Sequence, residues 1–163
     1  MSYLTNIKLK PIASYNFELN ARIFTGGDPQ ISGYDKGRFW QVINVNNILI
    51  LIIVKSSGTV EEPELSITLK SDSKLADEDL KLAENIIISM FNLDFDLKKF
   101  YEYMKNDGVM SKLIQQLRGL DSRTTPTVFE SLVSSIIEQQ ISLRASQSIE
   151  RHMIKDYGDR TSS

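Results

Sequence analysis

Two glutamines and a serine stand where an apolar stripe is expected to continue. The stretch FESLVSSIIEQQISLRASQSIERHMI, residues 129–154, opens as an amphipathic helix and then meets Gln139, Gln140 and Ser142. A carboxamide both donates and accepts hydrogen bonds, so a pair at a helix-helix joint suits reading or filling a gap between bases. Ser142 can cap a second helix, and the backbone amides at such a helix start suit a phosphate or another anion. The plainer alternative is that the helix simply ends there and the amides are solvated.

Other chemistries find little to work with. The chain has one histidine, His152, and no cysteine. That removes thiolate nucleophiles, disulfides and Cys-based zinc sites. It leaves a Ser-His-Asp arrangement with nothing to locate it. His152 beside Arg151 reads as a solvated helix residue. The Gly26-Gly27 loop lacks a P-loop lysine and reads as a turn. Asp77-Glu78-Asp79 falls in a helix's first turn, where the macrodipole favours acidic residues over a metal role. Arg38-Phe39-Trp40 follows the glycine loop. It reads first as a strand anchor and second as the wall of a pocket for a flat ligand.

The rest of the composition is that of an ordinary globular protein: 163 residues, 41% hydrophobic and 25% charged. One domain or two small ones are expected, with a core that needs no staples. The net charge is −2, so bulk charge does not point to nucleic acid. Residues 1–108 carry 12 Lys+Arg against 15 Asp+Glu, and residues 109–163 carry 7 against 6. This weak asymmetry favours a solvated surface. The N-terminus has no apolar signal region, and the apolar run Ile48–Val54 is too short to span a membrane. An intracellular protein is expected.

The elements that must carry these residues divide into a sheet half and a helical half. Alternation predicts a strand over 4–10, and 17–24 alternates too, although Asn16 could cap a short helix there. Residues 25–37 read as a loop. Strands are predicted at 38–45 and 48–55, joined at Asn46-Asn47, whose side chains tolerate a tight hairpin. Glu64–Lys70 is a further strand with Leu65, Ile67 and Leu69 on one face. Asp77 is the expected cap of a helix with Leu80, Ala83, Ile86, Ile87 and Met90 inward. Shorter helices follow at Leu97–Met104, capped by Asp96, and around Val109–Leu117. GLDSRTTP, 119–126, reads as a linker. Thr127 and Glu130 form a capping box that opens a helix burying Phe129, Leu132, Val133, Ile136 and Ile137. A last helix, 143–156, is expected to turn Ala145, Ile149 and Met153 inward and to stop at Gly158.

The block from Gly119 to Gly158 resembles the helix-hairpin-helix DNA glycosylase superfamily, nearest to its 3-methyladenine DNA glycosylase II branch and the 8-oxoguanine glycosylases. The residues that carry the resemblance are Gly119-Leu120, Phe129-Glu130, Gln139-Gln140-Ile141-Ser142 and Ala145, with Phe95-Asp96-Leu97, Phe100 and Tyr101 before them. The likeness implies an α+β chain. Residues 1–91 would be a TATA-binding-protein-like antiparallel sheet domain, and 92–163 the first helices of an all-α catalytic domain. It also assigns 17–24 to a short helix, against the alternation.

Such enzymes flip a damaged purine from duplex DNA and hydrolyse its glycosidic bond. A wedge side chain fills the vacated space. By position Gln140 is the first choice for the wedge and Gln139 the second, with Ser142 and Arg144 placed to meet a phosphate. Gly27, Arg38, Phe39 and Trp40 would border the base pocket. The implied partner is double-stranded DNA with a damaged base; no cofactor, metal or membrane is implied, and the expected location is the cytoplasm or nucleoid.

The family's Gly-x-Gly hairpin turn and catalytic aspartate are not found in residues 1–163. The expectation is therefore an N-terminal fragment, inactive alone and prone to self-association through Ile136, Ile137, Ile149 or Met153. The rival reading is a non-enzymatic DNA- or protein-binding module.

Overall fold

A computed structural model describes residues 2–23 and 32–158. Five strands form one antiparallel sheet: β1 (Tyr3–Leu9), β2 (Ser32–Asp35), β3 (Arg38–Val45), β4 (Ile48–Ser56) and β5 (Leu65–Ser71), in the order β1-β5-β4-β3-β2. The sequence supplies the turns. Asn46 and Asn47 have φ of 50° and 63°, the left-handed pair a two-residue hairpin needs, and they place Val45 opposite Ile48. Lys36 and Gly37 repeat the device between β2 and β3, at φ of 47° and 77°.

Part of the expected 25–37 loop is therefore strand. Ser32–Asp35 pairs with Arg38–Gln41 although Gly and Asp are poor strand formers. The compensation is tertiary. The Trp40 ring lies over Gly33 so closely that a Cβ there would sit 2.3 Å from ring carbon Cζ2. The aromatic surface replaces the packing that glycine lacks.

Period-two alternation drives one sheet face inward. Phe39, Ile43, Ile50, Ile52, Val54, Leu65, Ile67 and Leu69 are all buried. Helix α1 (Phe17–Ile23) and helix α2 (Asp77–Phe91) cover that face with Phe17, Ala21, Ala83, Ile87, Met90 and Phe91. Each buried Val, Leu, Ile, Phe or Met side chain among them contributes roughly 1.5–3 kcal/mol of transfer free energy. The short α1 forms despite its alternation because Asn16 Oδ1 accepts from Leu19 N at 3.1 Å. The cap of α2 is Ala76, one residue before the expected Asp77, and Asp79 Oδ2 accepts from Ala76 N at 3.1 Å.

Four helices follow: α3 (Lys98–Met104), α4 (Met110–Gln116), α5 (Val128–Ile137) and α6 (Leu143–Tyr157). Asp96 Oδ1 accepts from Lys98 N, and Asp107 Oδ1 accepts from both Val109 N and Met110 N, so these carboxylates open α3 and α4.

The stretch 119–124 is a strap rather than a free linker. Asn16 N and Asn20 Nδ2 both donate to Gly119 O at 2.8 Å, and Asp121 N donates to Asn20 Oδ1 at 2.8 Å. Asn92 Nδ2 donates to Asp121 Oδ2, and Thr124 N donates to Met90 O at 2.9 Å. Gly119 sits at φ of 78°, and its N–H donates to the Tyr101 hydroxyl. A Cβ there would lie 2.5 Å from Asn16 N, so only glycine permits the approach.

Two expected helix faces are corrected. No residue of α5 is buried: Phe129 is 75% exposed, Leu132 58% and Ile136 67%. On α6 it is Ser146, Gln147, Glu150 and Ile154 that lie least exposed, while Ala145, Ile149 and Met153 face outward. One inward contact is polar, with Ser134 Oγ donating to Glu150 Oε1 at 2.9 Å. Amphipathicity marks an apolar face but does not supply the surface that covers it.

Candidate nucleic-acid interface

The site grows from the α5–α6 joint. Thr127 Oγ1 accepts from Glu130 N at 3.1 Å and starts α5. The reciprocal half of the expected box differs: the Thr127 hydroxyl donates to Glu130 Oε1 at 3.1 Å. Helix α5 then runs for 10 residues and stops at the polar triplet Glu138-Gln139-Gln140. Gln140 reverses the chain at φ of 58°, a left-handed conformation that disfavours a side chain with a Cβ. Two residues later Ser142 caps α6, its Oγ accepting from Ala145 N at 3.3 Å.

The structure brings Gln139, Gln140, Ser142 and Arg144 together at this one joint, all exposed. The amides of the first turn of α6 and its macrodipole add positive potential beside Arg144. Gln140 occupies the apex of the turn, so its carboxamide is carried on the tightest part of the connection. Two capped helices flank it and fix its direction.

The second group of predicted site residues is not assembled in this way. Gly27 lies outside the described residues. Phe39 is fully buried, with its ring 5.1 Å from that of Phe91, so it serves the core instead of an open pocket wall. Arg38 and Trp40 occupy the opposite sheet face, where the Arg38 guanidinium lies 5.7 Å from the Trp40 ring. This matches the strand-anchor reading of the segment. His152 is exposed, with Nδ1 2.7 Å from Ser148 O, as a solvated helix residue would be. Among the described residues no group of His, Cys, Asp or Glu is placed to hold a metal.

Sequence reading missed the residues that hold the strap in place. Arg123 threads from the strap over two core rings, 4.4 Å from Phe39 and 5.5 Å from Phe91. Burial lowers its pKa to about 10, and Nη1 finds no partner. The ring faces are what compensate this desolvated cation. Burial also pushes the Tyr15 hydroxyl well above its usual range, with Asp121 adding to the effect. Arg118 pairs with Glu61, holding that carboxyl low, and stacks 5.1 Å from the Tyr101 ring. One signal was readable: Asn20 interrupts the apolar side of α1, and buried amides are retained where they bond a backbone. Its partners lie 99 and 101 residues away.

No protein-family model matches the chain. Over 121 residues it is 28% identical to a DNA-3-methyladenine glycosylase from Bacillus subtilis, covering 73% of this chain and 39% of that protein. In fold it is similar to a 3-methyladenine DNA-glycosylase from Archaeoglobus fulgidus, with a TM-score of 0.75 and 17% identity, covering 94% of this chain and 51% of that one. The chain thus spans about half or less of the length of these relatives. Sequence and fold together relate it, over part of their length, to the DNA glycosylases.

Proposed function

We propose that this chain is the DNA-engaging N-terminal portion of a base-excision repair glycosylase acting on damaged purines. In this reading residues 1–91 form the TATA-binding-protein-like sheet domain. Residues 92–163 begin the helix-hairpin-helix catalytic domain, and the α5–α6 joint meets duplex DNA at the lesion. The observation that carries the reading is the joint itself: a left-handed Gln140 at the apex of a turn between two capped helices, with Ser142 and Arg144 beside it. The relationship to DNA-3-methyladenine glycosylases supports it.

Gln140 acts as the wedge. Extruding a base sacrifices stacking worth a few kcal/mol, and a side chain that enters the gap offsets part of that. A carboxamide can also bond the unpaired base opposite, which an apolar wedge cannot. Gln139 stands second in the same turn, and Ser142 and Arg144 hold the neighbouring phosphate. In this reading the 163-residue chain binds lesion DNA.

Gln140→Gly separates wedge from fold. Glycine suits φ of 58°, so the variant should melt no lower than its parent. Affinity for a duplex carrying a tetrahydrofuran abasic analogue should fall about tenfold, or about 1.4 kcal/mol. Unchanged affinity would remove Gln140 from the role.

The outward apolar faces of α5 and α6 support self-association of the chain. A monomeric mass by light scattering at high concentration would contradict this part.

A further inference from the structure

Helix α6 carries a second feature beyond the joint. Arg144, Arg151 and Lys155 are all exposed, and their spacings of 7 and 4 residues put them on one face. At roughly 100° per residue the three fall within about 40° of one another around the helix axis. The acidic residues of α6 lie elsewhere: Glu150 turns toward α5, where it accepts from Ser134 Oγ, and Asp156 falls about 100° away from the stripe by the same geometry. Ile149 and Met153 occupy the far side. In a chain of net charge −2, three cationic side chains therefore share one face of this helix.

The geometry points to this stripe as a surface for the DNA backbone, extending from the joint along α6 through Arg151 and Lys155. The inference rests on the proposed function, because the stripe begins at Arg144 beside the wedge turn. From Arg144 to Lys155 the helix advances about 16 Å, enough to follow several phosphates of one strand. Guanidinium forks match phosphate oxygens in pairs, and lysine adds a point charge. An anionic lipid surface is the competing partner, since α6 is apolar on its far side. Continuity with Gln139, Gln140 and Ser142, which have nothing to offer a lipid, favours nucleic acid.

The test uses the 163-residue chain, a duplex with a tetrahydrofuran abasic analogue, and an undamaged duplex. Binding is measured from low to moderate salt for the parent and for Arg151→Gln/Lys155→Gln. Each phosphate contact contributes about 0.9 to the slope of log affinity against log salt. The double variant should lose about 1.8 of slope, weaken equally on both duplexes, and keep the parental melting temperature. Arg151→Lys/Lys155→Arg should retain the slope. A double variant with the parental slope overturns the stripe while leaving the joint reading intact. A parent that binds neither duplex overturns both. Binding to phosphatidylserine vesicles with none to DNA assigns the stripe to lipid and also overturns the inference.

Discussion

Replacing Asn20 by alanine should loosen the helical half of the protein from its sheet. The side chain is 1% exposed, and both its amide nitrogen and its carbonyl oxygen are hydrogen-bonded. Nδ2 donates to Asn16 O at 2.9 Å and to Gly119 O at 2.8 Å, and Oδ1 accepts from Asp121 N at 2.8 Å. Both carbonyls keep another donor, Asn20 N and Asn16 N, so each loses one bond of two. Those losses amount to about 0.5–1 kcal/mol apiece. Asp121 N–H loses the partner it has, which adds about 1–3 kcal/mol.

The sum for Asn20→Ala is about 2–5 kcal/mol, and a chain of this size should melt roughly 10 °C lower. Urea unfolding measures the first quantity. Amide hydrogen exchange at Asp121 and Thr124 measures where the loosening occurs. A loss below about 1 kcal/mol, or unchanged protection at both amides, would refute the strap as the element that fixes the helices.

Gly119→Ala should destabilise by at least about 2 kcal/mol, since it adds left-handed strain to a backbone collision; Gly37→Ala, at φ of 77° with open space, should cost only about 1. Equal effects in urea titrations would contradict the close approach at Gly119. Acid should act in two directions. Glu61 has its pKa lowered by the Arg118 and Ser14 hydrogen bonds, so its contribution is present above the ordinary carboxylate range and is lost as pH falls. Glu130 has its pKa raised by partial desolvation and then by Glu150, so the folded state holds the extra proton and stability falls as pH rises through that window. Glu130→Gln should flatten the second trend and Glu61→Gln the first, read from unfolding midpoints between pH 4 and 7. Ile87→Ala, in the core under α2, should lose about 2–5 kcal/mol.

Local rules made much of the sheet legible. Alternation placed β3, β4 and β5, and the Asn46-Asn47 pair fixed their hairpin because few residues accept two successive positive φ angles. Strand β2 was missed because its glycine is stabilised by Trp40 from the neighbouring strand, which no local window contains. The strap was missed for a similar reason. Gly119 to Thr124 has a linker's composition, and its bonds to Asn16, Asn20 and Met90 close across the chain. The α5–α6 joint was legible from Gln139, Gln140 and the Ser142 cap. The inward faces of those two helices were not, because an apolar stripe specifies that something covers it and not what.

The central claim, that the joint engages lesion-bearing DNA, is tested most directly by one ratio. It is the affinity of the unmodified 163-residue chain for a duplex with an abasic analogue over its affinity for the same duplex undamaged. The wedge reading predicts a preference of about tenfold, because a vacant base position removes the need to unstack before insertion. Equal affinity for the two duplexes would contradict it.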